Sequence, residues 1–175
     1  MNAAETQMLD TLRRMFRRDI AAVRREVEAY PDDESLWTIV PGIANSGGTL
    51  ALHLAGNLRH FIGAAVGNSG YIRDRDAEFA DRGATRAEVA AHLSDAEDVV
   101  DRTLSELSAS QLENEYSLPV GGLQVRLGPF LLHLAVHLGY HLGQLDYHRR
   151  IVTGSSHTVG AVAIPPVFEG DVSRA

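Results

Sequence analysis

The sequence predicts an all-α protein: an antiparallel four-helix bundle with a short hairpin or extended loop before its last helix. Three observations carry this. Apolar residues recur at spacings of three and four along four long stretches, a capping box opens the third of them, and Gly and Pro punctuate the intervals. At 175 residues and 19.0 kDa the chain suits one domain with a self-sufficient core. Residues 1–154 are expected to form the bundle domain and 155–175 a C-terminal tail that wraps or hangs loose.

The first helix should run from about Ala3 to Tyr30, with Met8, Leu12, Met15, Phe16, Ile20, Val23 and Val27 as its apolar stripe. Six arginines interleave there with Asp10, Asp19, Glu26 and Glu28, the pattern of a solvated face with local ion pairs. Pro31 and Asp32-Asp33-Glu34 close it. Ser35 to Gly48 reads as an ordered loop anchored by Trp37 and Ile39, with Asn45 or Ser46 free to cap the next helix. The second helix should span about Gly47 to Val66, its core side made by Leu50, Leu54, Leu58, Phe61 and Ile62, and one flank by His53, Asn57 and His60. After a polar interval, Thr85-Arg86-Ala87-Glu88 forms the capping box of a third helix reaching about Leu107, with Asp95, Glu97, Asp98 and Asp101 toward water. Alternating apolar residues around Gly121-Gly122 permit the hairpin or extended loop. Gly128-Pro129 opens the last helix, which runs to Ile151 or Val152 before Gly154.

Composition narrows the chemistry. Sixteen Lys+Arg against 23 Asp+Glu give a net charge of −7, and without a clustered basic patch this argues against a nucleic-acid partner. The chain has no cysteine, which excludes disulfides, cysteine nucleophiles and thiolate metal sites, so any metal must sit on His, Asp or Glu. Charges recur early in MNAAETQMLDTLRRMFRRD, before any apolar run of signal-peptide or membrane-span length develops, so a cytoplasmic protein without a membrane partner is expected.

The informative stretch is PFLLHLAVHLGYHLGQLDYHRRI, where His133, His137 and His141 recur every fourth residue. All lie within ~40° of His137 on the helix wheel. Histidines at i and i+4 can chelate one ion, whereas His133 and His141, ~12 Å apart, cannot share one. A further ligand must come from elsewhere, and His53 and His60 are the candidates. Their spacing of ~10 Å lets only one reach and barely chooses between them, with a slight lean to His53. For His60 the alternative is a place on the rim. His148, beside two arginines near the helix end, reads as solvated, and His92 and His157 as structural or surface residues. Gln144, Tyr140 and Asn57 are candidate orienting groups, while Asp146 lies on the far side from His137. Leu132, Ala135, Gly139 and Gly143 mark a face for close packing on a neighbouring helix or a second subunit.

On these residues the chain resembles the DinB/YfiT-like family of metalloenzymes. The last-helix segment HLGYHLGQ is similar to that family's HxxxHxGQ motif, and LHLAGNLRHFIG, preceded by Trp37, Pro41 and Ser46, to its second-helix histidine segment. The resemblance covers roughly Leu36 to Arg150, and Leu142 departs from it where an Arg is frequent. It implies His53, His137 and His141 as metal ligands, a four-helix bundle that is often a homodimer, and a divalent ion, Zn or Ni above all. It also implies a small-molecule substrate and, in some relatives, a low-molecular-weight thiol. Three neutral imidazoles leave an ion its full charge and an open position, the pattern of a catalytic site. The expected function is therefore a metal-dependent transferase or hydrolase that activates water or such a thiol. Two alternatives are a non-catalytic metal-binding or stress-related bundle and a metal-free interaction domain.

Overall fold

A computed structural model describes residues 3–168. Among them the chain is mostly helical and contains no strand, so it is all-α. Its elements are α1 (Ala3–Glu28), α2 (Asp33–Leu36), α3 (Gly47–Leu58) continuing into a π-helical stretch (Arg59–Ala64), α4 (Arg75–Ala80), α5 (Arg86–Glu106), a 3₁₀ turn (Ala109–Glu113), α6 (Leu127–Thr153) and α7 (Pro165–Phe168).

Each of α1 and α3 packs against both α5 and α6. The shared core is apolar and mostly aliphatic, with Phe16, Ile20, Leu54, Leu58, Leu93, Leu131, Leu138 and Leu145 almost wholly buried. Local chemistry sets the boundaries. The Ser46 hydroxyl accepts from the Thr49 amide to start α3. Thr85 and Glu88 form the full capping box of α5. Gly154, at φ +66°, ends α6 in the left-handed region that glycine tolerates.

Several expectations need correction. The predicted second helix is not uniform: its last turns widen into a π-helix, a form that is frequent at functional sites. The Phe61 carbonyl accepts from the Tyr116 hydroxyl at 2.8 Å, which ties the loop before α6 to α3. The segment after Asp32 is not plain loop, because Asp32 caps the short α2. The polar interval 67–84 contains α4, started by Asp74 accepting from the Ala77 amide. Around Gly121-Gly122, both at positive φ, Val120 and Leu123 exchange two backbone hydrogen bonds. The result is a tight turn with isolated bridges and no ladder long enough to be a strand.

Nor are the charged faces simply solvated. Arg13 forks onto Asp101 at 2.7 and 2.9 Å, and Arg24 pairs with Glu97, so these groups link α1 to α5. Glu26 is fully buried and pairs with the equally buried Arg149 of α6. Other arginines of α1 bind the returning tail, Arg25 to the Val159 carbonyl, Arg18 to that of Ala163 and Arg14 to that of Val167. The tail therefore wraps along α1 as far as Phe168, with Val167 buried. Its remainder, 169–175, lies outside the described residues.

Candidate metal centre

His53 projects from the middle of α3, and His137 and His141 from successive turns of α6. Their Nε2 atoms converge, that of His137 lying 3.4 Å from His53 and 3.1 Å from His141. One ligand atom from each of the three rings lies within 4.8 Å of the other two. Two nitrogens bound at ~2.0–2.1 Å to a tetrahedral ion stand roughly 3.4 Å apart, so the observed spacings fit a common divalent ion.

The imidazole tautomers decide whether lone pairs or protons face that point. His53 Nδ1 lies 3.2 Å from both Glu78 Oε2, an acceptor only, and Arg73 Nη2, a donor only; the guanidinium makes its shorter bond, 2.7 Å, to that same Oε2, and the tautomer with the proton on Nδ1 donates to the carboxylate and leaves Nε2 bare. His141 Nδ1 donates in the same way to Gln144 Oε1 at 2.7 Å. Both rings consequently aim bare Nε2 lone pairs at the shared centre. His137 can offer one proton to only one of them, whereas a cation satisfies all three. Its Nδ1 is buried without a partner, so His137 is the ring that no neighbouring acceptor orients.

Glu78 is itself held. Arg73 forks onto it with two 2.7 Å bonds, from Nε to Oε1 and from Nη2 to Oε2. Burial pushes the Glu78 carboxyl up, but hydrogen bonds from Arg73 and His53 outweigh this and hold it below its ordinary range. Gly56, in the last turn of α3, makes room: a Cβ there would collide with the Glu78 carboxylate. Burial, reinforced by His141, His53, His133 and Arg73, pushes His137 down to about 4. His141 is lowered by burial against the opposing Gln144 bond. His137 and His141 are thus neutral at physiological pH, the form that ligates.

The remaining predicted residues stand around this centre or away from it. His60 sits in the π-helical stretch edge-on to Phe61, apart from the converging rings. His133 is exposed and stacks on Phe130, with its ring centre 6.5 Å from that of His137. Asn57 is buried with its Oδ1 unpaired. Tyr140 is exposed, with its ring 5.2 Å from that of His141. Asp146 turns away and pairs with Arg150 and Arg149. His92 lies against Arg59, and His157 is exposed in the tail.

His148 corrects the expectation of a solvated ring. It is 1% exposed, donates from Nε2 to the Thr38 carbonyl at 3.0 Å and accepts the Tyr30 hydroxyl proton at Nδ1 over 2.6 Å. Burial keeps it neutral. Position near a helix end is outweighed here because α2 and the loop after it cover that end. Together with Gln144, Asn45, Leu50 and Tyr147, His148 lines a cavity of about 350 Å³.

Arg73 and Glu78 escape sequence reasoning. Asp74 before Arg75-Asp76-Ala77 signals a helix start, but nothing in a short polar stretch says that Glu78 turns inward. The one hint is Gly56, an otherwise costly residue inside a helix.

No helix among the described residues is long and apolar enough to cross a membrane. Neither a curated protein nor a solved structure matches the chain significantly. Residues 3–166 match the family described as "Protein of unknown function (DUF1572)", and the chain therefore belongs to that family.

Proposed function

We propose that this protein is a metal-dependent enzyme of the DinB/YfiT-like kind, a cytoplasmic four-helix bundle that holds one divalent ion, Zn or Ni, on His53, His137 and His141. The observation that carries this reading is the convergence of three Nε2 atoms from two helices, two of them on rings whose Nδ1 faces an acceptor, Glu78 for His53 and Gln144 for His141. The pairwise packing of α1 and α3 on α5 and α6 supports the bundle.

A divalent ion there supplies Lewis acidity that makes water or a thiol a stronger nucleophile at neutral pH. The chain's own part is positional. Glu78, braced by Arg73, fixes His53, and Gln144 fixes His141. Burial keeps His137 and His141 neutral. With no cysteine in the chain, a thiol nucleophile must arrive as a small cosubstrate. The reaction is then a thiol transfer or a hydrolysis on a small molecule.

The test is elemental mass spectrometry on protein purified without a histidine tag. One equivalent of divalent ion is expected, lost in His53→Ala and His137→Ala and kept in His60→Ala. Thiol-transfer and hydrolysis assays on the loaded protein come next. No bound ion after incubation with zinc, nickel and manganese overturns the proposal and favours the metal-free interaction domain.

A further inference from the structure

The cavity beside His148 lies between the loop that leads into α3 and the C-terminal half of α6. Residues 42–45 form one wall, and Gln144, Tyr147 and His148 the other. His148 pins the two together, because its Nε2 donates to the Thr38 carbonyl in the same loop while its Nδ1 accepts the Tyr30 hydroxyl proton. With both nitrogens engaged, this ring offers the cavity neither a charge nor a free donor. No lining residue is an Asp, Glu, Lys or Arg, in a chain that is 22% charged. What the cavity does offer is hydrogen-bonding capacity without a protein partner. Gln144 Oε1 accepts from His141 Nδ1, which leaves both Nε2 protons of that amide available. Among the described residues nothing bonds the Asn45 carboxamide, and within 42–45 the one backbone amide with a partner in the chain is that of Ile43, which donates to the Val40 carbonyl. Ile43 and Leu50 add apolar surface.

We propose that this cavity binds an uncharged small molecule that carries a carboxamide on a compact apolar body. A carboxamide presents donors and an acceptor at once, so its oxygen can answer Gln144 Nε2 and either of its ends can answer Asn45. A carboxylate would satisfy the donors but meet no cation, and an ammonium would find acceptors but no anion, each giving up hydration without a counter-charge. A purely apolar ligand would leave the two amides covered and unpaired. At about 350 Å³, with walls already fixed by His148, the cavity has the size and preformed character of a small-ligand site. None of its lining residues belongs to the three-histidine cluster, so the site exists without a metal. Gln144 nevertheless serves both places, since one end of its amide holds His141 and the other stays available to the ligand. On the proposed function, the cavity seats the non-reacting end of the substrate one turn of α6 away from His141. That role rests on the metal reading, whereas the binding site does not.

Benzamide, benzoate and benzylammonium share one ring and differ in charge, so they read this preference directly. Each is titrated into the isotope-labelled whole chain as purified, and again after chelation, with backbone and side-chain amide shifts followed by two-dimensional NMR. Benzamide is expected to shift residues 42–45 and the Gln144 side chain saturably, with the millimolar dissociation constant of a small fragment. At those same residues the two ions should bind roughly tenfold more weakly. Asn45→Leu keeps the shape of the side chain and removes its hydrogen bonds. It should weaken benzamide roughly tenfold with unchanged circular dichroism, since Asn45 has no side-chain partner in the fold to lose. Benzamide binding that survives chelation supports the site whether or not an ion is found on the histidines. No saturable shift with benzamide, equal affinity for the three compounds, binding unaffected by Asn45→Leu, or binding lost with the metal overturns the proposal.

Discussion

Burial, with the neighbouring imidazoles and Arg73, pushes His137 down to about 4, against about 6.5 for the same side chain in an unfolded chain. The unfolded state therefore binds the extra proton throughout that window, and the metal-free fold loses stability as pH falls through it. For His137 alone the loss reaches at most about 3 kcal/mol by pH 4, less as solvent screens the half-buried ring. Urea unfolding of metal-stripped protein between pH 7 and 4 should show that slope, and a His137→Gln variant should show a shallower one. Glu78→Gln keeps the shape of the side chain and removes its charge. It should weaken metal binding by roughly 10–100-fold in a chelator competition, with the helical content unchanged. The last-helix members of the three-histidine cluster are legible because a four-residue repeat of histidine stands out against a leucine background. Glu78 is not, since its role depends on a fold-back that no local periodicity records.

Among the elements, α6 carries most of the consequence. Its Arg149 is 1% exposed and supplies the partner of the fully buried Glu26 of α1, which burial alone would push toward its protonated form. Arg149→Leu strands that carboxylate and should cost about 3–5 kcal/mol, read as a lower urea midpoint. The same guanidinium holds the His157 carbonyl, so the tail should also become easier to cleave by protease. On α3, Gly56→Ala should separate two properties that usually travel together. Helix propensity improves by about 1 kcal/mol, yet the new methyl displaces Glu78 and metal affinity should fall. Titration with zinc alongside a melting curve would show the split. Boundaries are readable in the sequence where a side chain caps the backbone, as at Ser46 and Thr85. The π-helical turns after Leu58 are not, because no capping residue or periodicity marks them; within them the Phe61 carbonyl meets the distant Tyr116 hydroxyl.

For the molecule as a whole, an ion bound only by the native state adds stability by mass action, about 4 kcal/mol at a free concentration roughly 1,000 times the dissociation constant. Chelation should therefore lower the melting temperature of wild type and leave that of His137→Ala unmoved, as scanning calorimetry would record. The all-helical class is legible from periodicity alone. The path of the tail is not: it depends on arginines meeting backbone carbonyls, and those arginines look in sequence like any solvated helix face.

The three imidazoles stand on two well-packed helices, but the carboxylate that meets His53 Nδ1 stands on α4, in the connection between α3 and α5. Scaffold and tuning device are thus separable. Exchanging the segment from Gly67 to Ala84 would let an engineer change how the three rings are held while leaving the rings themselves in place, a short route to variation on an unchanged frame.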